Sequence, residues 1–297
     1  HALPIFHVHG LFVALHCALL GGSCMRWLNR FEPQRVVELL PEATVFMGVP
    51  TLYTRLLAQP GLTREHCAAM RLFISGSAPL QAETFDEFTQ RTGHLILERY
   101  GMSETGMLTS NPLVGERKRA SVGPALPGVQ LRIAEPDASG VGGVEVKGPN
   151  VFAGYWNRPD LQASEFTPDG YFRTGDLGRL DADGYLFLVG RAKDLIISGG
   201  FNVYPAEVEG HLNELPGVAE SAVIGLPHAD FGEAVTAVVL AQPGALLDEA
   251  ALIVAMRQRL AAFKCPKRIV FAAELPRNAM GKVQKNLLRA QHVRLYA

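Results

Sequence analysis

Four short stretches of this 297-residue chain combine glycine, hydroxyl side chains and charge in patterns suited to phosphate chemistry. In "SGSAPL", residues 75–80, the small residues around Ser75, Ser77, Ala78 and Pro79 let a flat ring or a phosphate approach the backbone closely. An ordinary strand–helix turn has the same composition. In "YGMSETG", residues 100–106, Ser103 and Glu104 stand side by side. A hydroxyl and a carboxylate can hold a phosphate and its Mg2+, although a capping turn uses the same residues. In "YFRTGD", residues 171–176, a loop aspartate, Asp176, can accept two hydrogen bonds from a ribose diol. Aspartate after glycine is also a plain turn. The fourth is "GRAKDLIISGGFNVYPAEVE", residues 190–209, with "PRNAMGKVQK", residues 276–285, in which Lys282 follows Gly281 in a polar loop. Alone, an exposed lysine is ordinary solvated surface.

These stretches need elements to position them. Up to residue 120 short apolar runs alternate with amphipathic ones: helix "QRVVELLPE", strand "TVFMGV", helix "PTLYTRLLAQ" opened by Pro50, strand "RLFIS", helix "LQAETFDEFTQRTG" closed by Gly93, strand "LILER". That alternation predicts a parallel α/β sheet over 1–120, with its working loops at the carboxyl ends of the strands. From 121 to 192 glycine and proline become dense, and "VQLRIA", "GVEVKG", "YFRTGDLG" and "GYLFLVG" read as short strands joined by Asp169-Gly170 and Asp183-Gly184 turns. This predicts a small antiparallel, barrel-like sheet. Residues 193–297 predict a compact α+β domain: helix "AEVEGHLNEL", strands "AESAVIGL" and "EAVTAVVLA", helix "DEAALIVAMRQRLAAF", strand "RIVFA" and a last helix from Gln284. The fold class is thus α/β plus α+β.

Composition narrows the function classes. A net charge of −1 gives no electrostatic footprint for nucleic acid or an anionic membrane. The four cysteines form no CxxC pair, which argues against a zinc site or disulfide framework and predicts a reducing, cytoplasmic setting. The longest apolar run, "GLFVALHCALLGG", is too short to span a bilayer. The chain opens at His1 inside an apolar segment, which predicts that it is incomplete at its N-terminus. Oligomeric state is left open.

Taken together, in this order and spacing, the four stretches resemble the adenylate-forming superfamily of acyl-CoA synthetases, luciferase and peptide-synthetase adenylation domains. "YGMSET" resembles its Tyr-Gly-x-Thr-Glu motif with serine for threonine. "YFRTGD", "GRAKDLIISGGFNVYPAEVE" and "PRNAMGKVQK" resemble its ribose-binding, hinge and catalytic-lysine motifs. The resemblance covers the whole chain. It implies the C-terminal part of a large αβ/β-barrel adenylation domain followed by a small mobile lid. It also implies ATP, Mg2+ and CoA as cofactors. A carboxylate would attack the α-phosphate of ATP, giving an acyl-adenylate that a thiol then takes up. By resemblance, Lys282 and Glu104 are catalytic, Glu104 as the Mg2+ ligand. Ser77, Ala78, Pro79, Tyr100, Gly101, Met102, Ser103, Asp176 and Arg191 line the nucleotide, with Asp176 on the ribose. Lys193 and Asp194 form the hinge, and Gly199 and Gly200 line the pantetheine passage. Lys282 would also be an acetylation target. "FKCPKR", residues 263–268, could meet the CoA phosphates or be solvated surface.

Arg99 then stands out. The position before this tyrosine faces the acyl pocket in the family and is often glycine. A cation buried there is costly unless paired, and a second carboxylate on the substrate is its natural partner. Ser75 and Ser77 would hydrogen-bond that carboxylate, and His7 would close the pocket on it. With "LPIFHVHGLF", "LERYGM" and "PALPGV", this resembles the malonyl-CoA synthetases, with Val8 and Met102 flanking C2, where methylmalonate carries its methyl group. Two departures matter. The family's phosphate loop lies before the first residue here, so the chain by itself is expected to be inactive. The hairpin over 134–148 is shortened. Three alternatives remain open at this stage. Arg99 pairs with Glu98 or another carboxylate and the acid is a different small one; the chain is an adenylation domain of a peptide synthetase; or it is a non-catalytic remnant.

Overall fold

A computed structural model describes residues 1–278 and 281–296, so residues 279 and 280 of the lysine motif lie outside the described residues. The chain divides into two compact units, residues 1–174 with 178–188, and residues 175–177 with 189–297.

In the first unit, strands β1 (Val45–Gly48), β2 (Leu72–Ser75) and β3 (Leu97–Met102) pair in parallel, and β4 (Gly106–Ser110) returns antiparallel along β3. Helices Pro50–Leu57 and Ala82–Thr92 supply the crossovers, and helix Pro33–Leu39 leads into β1. Pro50 sits at the first helical turn, where its missing N–H costs nothing, and Gly93 ends its helix at φ 78°. Tyr53, Phe73 and Phe88 are fully buried between this sheet and these helices and meet edge to face, Tyr53–Phe88 at 5.3 Å and Phe73–Phe88 at 4.8 Å. Each is worth roughly 1.5–3 kcal/mol of burial. Before them lies an unexpected π-helix, His9–His16, running into a short α-helical turn, Cys17–Leu20.

The strand read as "LILER" is longer than its apolar run. It continues through Arg99-Tyr100-Gly101 to Met102, so most of "YGMSETG" is strand and only residues 103–105 form the turn to β4. The reason is a hairpin with a register shift between Tyr100 and Gly101. A Cβ on Gly101 would stand 2.0 Å from the Gly106 carbonyl oxygen and 2.7 Å from the Met107 Cε. Gly101→Ala is therefore expected to destabilise the protein by about 3 kcal/mol, read as a fall in the denaturation midpoint with an unchanged urea slope.

Strands β5 (Gln130–Ala134), β6 (Gly142–Lys147), β7 (Phe172–Leu180) and β8 (Leu186–Arg191) form a four-stranded sheet in the order β5-β6-β7-β8, with β5 and β6 antiparallel. The expected barrel is not closed: β5 and β8, the ends of the sheet, do not pair with each other, and Leu186 of β8 also exchanges backbone hydrogen bonds with Val122 and Gly123. Tyr100, Leu108, Val122, Val144, Val146, Phe172 and Leu186 pack beneath it.

In the second unit the sheet order is β10 (Phe201–Val203), β9 (Ile196–Ser198), β12 (Gly232–Ala241), β11 (Val218–His228), with β13 (Arg268–Phe271) parallel to β12. Val223, Val235, Ala237 and Val239 face one core, while Ala222, Ile224, Leu226 and Val238 face another that holds Leu288 of the last helix. Burial on both faces explains why these strands read as continuous apolar runs. The helix expected over 248–263 stops at Arg257, because Gln258–Leu260 turn back onto Ala255 and Met256. The last helix is Lys285–His292.

Candidate active site

Of the residues expected to handle an acid, Arg99 lies within β3 and Ser75 ends β2. Arg99 is half-buried, with its Nη2 3.6 Å from the Met47 Sδ. Its Nε is buried and without a hydrogen-bond partner, and lost hydration lowers the pKa of the guanidinium. No carboxylate pairs with Arg99 among the described residues, which removes the ion pair with Glu98. The two residues alternate on one strand and so point to opposite faces. Glu98 is 5% exposed; one of its oxygens has no partner, while Leu80 N–H donates to the carboxylate. Burial raises its pKa to about 8. Ser75, its register partner on β2, is 1% exposed and its hydroxyl also lacks a partner. Ser75 therefore sits on the face of Glu98, away from Arg99.

On the Arg99 face the histidine brought in is His9, which the sequence reading passed over. It is 4% exposed, its Nδ1 lies 3.1 Å from Ser77 Oγ, and its ring borders the space above Gly76. Burial, then the Arg99 charge and His7, lower its pKa to about 4, so it is neutral at pH 7. His7 is half-buried, and its Nδ1 accepts from His9 N–H at 3.4 Å. It supports His9 from behind. Ser77 holds φ 70°, a conformation that points its hydroxyl to His9 at a local backbone cost. Ala78 and Pro79 are exposed beside it.

Around the β3–β4 turn, Ser103 is exposed and Glu104 is half-buried. The Tyr155 hydroxyl donates to Glu104 Oε1 at 3.0 Å. Tyr100 is 8% exposed, with its ring in the apolar cluster of the four-stranded sheet, while Gly101 and Met102 are partly open. Among the described residues no group of three or more His, Cys, Asp or Glu is disposed to hold a metal by itself. A single oriented carboxylate fits Mg2+, which is commonly held by one or two carboxylates with substrate phosphates completing its shell.

In the second unit, Asp176 lies within β7 rather than on a loop, 6% exposed, and pairs with Arg191 Nε at 2.9 Å. Lys282 is exposed as a residue, yet partial desolvation lowers its pKa, with the Arg191 charge acting the same way and Asp176 opposing. Its backbone is fixed: Lys282 N–H donates to Asn278 Oδ1 at 3.0 Å, and Asn278 N–H to the Lys282 carbonyl at 3.0 Å. Lys193 is exposed in the turn 192–194, whereas Asp194 pairs with Arg289 of the last helix at 2.8 Å. Gly199 and Gly200 form the two-residue loop between β9 and β10 at φ 59° and 81°. In "FKCPKR", Lys264 is committed to Glu207 at 2.6 Å and Phe263 stacks on Phe201 at 4.7 Å.

A mixed α/β sheet presenting these motifs, followed by the smaller unit, belongs to a known class. The model described as "AMP-binding enzyme" matches residues 1–156, more than half the chain, and that described as "AMP-binding enzyme C-terminal domain" matches residues 207–282. The chain belongs to the AMP-binding enzyme family. It is 40% identical over 322 residues to the "Malonate--CoA ligase" of Arabidopsis thaliana, the match covering 97% of this chain and 53% of that protein. It is 39% identical over 331 residues to "Malonate--CoA ligase ACSF3, mitochondrial" of Homo sapiens, covering 97% and 57%. The crystal structure of ATP-bound MatB from Rhodopseudomonas palustris matches with a TM-score of 0.97 at 54% identity, over 100% of this chain and 60% of that one. The chain therefore spans little more than half the length of these relatives. Among the described residues no helix is long and apolar enough to cross a membrane.

Proposed function

We propose that the whole protein is an ATP-dependent, AMP-forming acid–CoA ligase that makes malonyl-CoA, and also takes methylmalonate, in a reducing, cytoplasmic setting. The observation that carries the substrate is Arg99: a crowded guanidinium with an unpartnered Nε and no protein carboxylate beside it. The fork of an arginine suits a carboxylate, and neutral His9, with Ser77 and Arg99, offers a polar end to the pocket. This replaces Ser75 and His7 as direct contacts. Val8 and Met102 flank C2.

One carboxylate of the acid attacks the α-phosphorus and expels pyrophosphate. The CoA thiol then attacks the acyl carbon and expels AMP. Lys282 bridges the incoming carboxylate and the α-phosphate, stabilising charge that grows as the bond forms. Asp176, held by Arg191, takes the ribose hydroxyls, and Ser103 with the 77–79 loop meets the phosphates and adenine. Glu104 holds Mg2+, which when bound neutralises phosphate charge. Gly199 and Gly200 border the thiol's path, and Lys193 and Asp194 form the pivot.

The test is malonate-dependent pyrophosphate release from ATP by a protein of the relatives' full length. Lys282→Ala is expected to slow it by at least about a hundredfold while ATP still binds. Acetylation of Lys282 removes the same charge and has the same effect. Release that depends on acetate but not on malonate would overturn the substrate; none with any acid would overturn the reaction.

A further inference from the structure

The motifs did not point to Tyr155, yet it touches Glu104 directly. Residues 150–155 grip the β3–β4 turn at three points. Asn150 Nδ2 donates to the Thr105 carbonyl at 2.8 Å, Phe152 N–H to the Glu104 carbonyl at 2.8 Å, and the Tyr155 hydroxyl to Glu104 Oε1 at 3.0 Å. The Tyr155 ring meets Phe152 edge-on at 4.8 Å, and Phe152 meets Phe172, 1% exposed, at 5.2 Å. The phenol is thus rooted through two aromatic rings in β7 while its hydroxyl engages the acid. A glutamate on an open turn otherwise samples many rotamers, and that freedom is lost on binding a cation.

We propose that Tyr155 is a positioning residue for Glu104: its hydroxyl occupies one carboxylate oxygen and fixes the carboxylate plane, leaving the other oxygen to a divalent cation shared with nucleotide phosphates. This rests on the reading of Glu104 given above. Hydrogen-bonded partners one step from a metal orient the ligand and are commonly worth about ten- to a hundredfold in metal affinity. A phenol hydroxyl is a donor across the neutral range. The aromatic contacts do not use the oxygen, so Tyr155→Phe removes the hydrogen bond and keeps the ring.

The experiment is equilibrium binding of ATP, without acid substrate, in EDTA and in saturating Mg2+, for the full-length protein and for Y155F, E104Q and the double variant. Y155F is expected to bind ATP as wild type does in EDTA and to lose about tenfold of the affinity that Mg2+ adds. The double variant is expected to match E104Q, because the hydroxyl acts only through Glu104. A merely structural role would lower affinity equally in EDTA and Mg2+. An undiminished Mg2+ gain in Y155F, a loss that adds to that of E104Q, or a wild type with no Mg2+ gain overturns the proposal. Malonate takes no part in the measurement, so failure of the malonate assignment is read separately.

Discussion

Replacing Arg99 with glycine is expected to reduce malonate-dependent pyrophosphate release by at least about thirtyfold in kcat/KM, while acetate and other small monocarboxylates are used as well as before or better. A hydrogen-bonded charge pair that excludes water is worth about 2–5 kcal/mol when one partner is removed, and the lower end of that range already exceeds tenfold. Glycine also opens the volume that the guanidinium fills. The Nε of Arg99 is buried without a partner, and loss of hydration lowers its pKa, so the free protein carries a cation in a poor environment. A substrate carboxylate relieves that environment; a methyl group does not. Arg99→Lys is expected to recover little, since an ammonium cannot grip both oxygens in a fork. Steady-state kinetics on both acid classes decides the matter. Unimpaired malonate use by Arg99→Gly would remove the residue from substrate recognition.

The second large effect concerns Glu98. Glu98→Gln is expected to stabilise the protein above neutral pH and to flatten its stability–pH curve between about pH 4.5 and 8. The buried carboxyl has its pKa raised from 4.5 to about 8 in the folded protein, burial being the cause and the Leu80 N–H bond opposing. The unfolded chain gives up this proton near 4.5, whereas the folded one keeps it until about 8. Folding therefore takes up a proton across that window. The stability associated with the neutral carboxyl is complete below 4.5, declines as pH rises, and is gone above about 8. At 1.36 kcal/mol per pKa unit the full difference is on the order of 3–5 kcal/mol. Glutamine keeps an acceptor for Leu80 and carries no charge to bury. Urea melts at several pH values measure this directly, and identical slopes for wild type and Glu98→Gln would show that Glu98 is ionised at neutral pH after all.

These two neighbours also show what was legible in the sequence and what was not. Their pairing was an open possibility only while "LILER" was taken to end at Arg99. Once β3 runs on to Met102, the period of two sends Glu98 to the helix-packed face with Ser75 and Arg99 to the face of Met47. The apolar run ended too early to reveal this, because the strand's last residues are polar or glycine. The helices capped by Pro50 and Gly93 were legible, since those residues act locally. The open sheet was not, because closure depends on which strands meet at the edges. His9 and His7 are two residues apart in "HVHG", and only the start of a π-helix at His9 decides which one is buried. Tyr155 lies 51 residues from Glu104, and no local pattern joins them. Asp176 was recognised by its motif, and of its two readings, loop and short strand, β7 keeps the strand.

The hairpin at Gly199 and Gly200 carries a lesson for anyone altering this protein. Both residues hold positive φ, and a two-residue loop of that kind is the mirror-image turn that matches strand twist. A β-carbon at Gly200 meets nothing within 4 Å, and at Gly199 only the edge of the Phe231 ring at 3.7 Å. Space is therefore not what forbids a side chain here; chirality is. An alanine scan would mix two faults, a left-handed backbone forced on an L-residue and bulk beside the path proposed for the thiol. Asparagine at 199 separates them, because it accepts the left-handed conformation while adding bulk. D-alanine, introduced by ligation, does so more cleanly still. The glycine pair is in this sense a question about handedness before it is one about size.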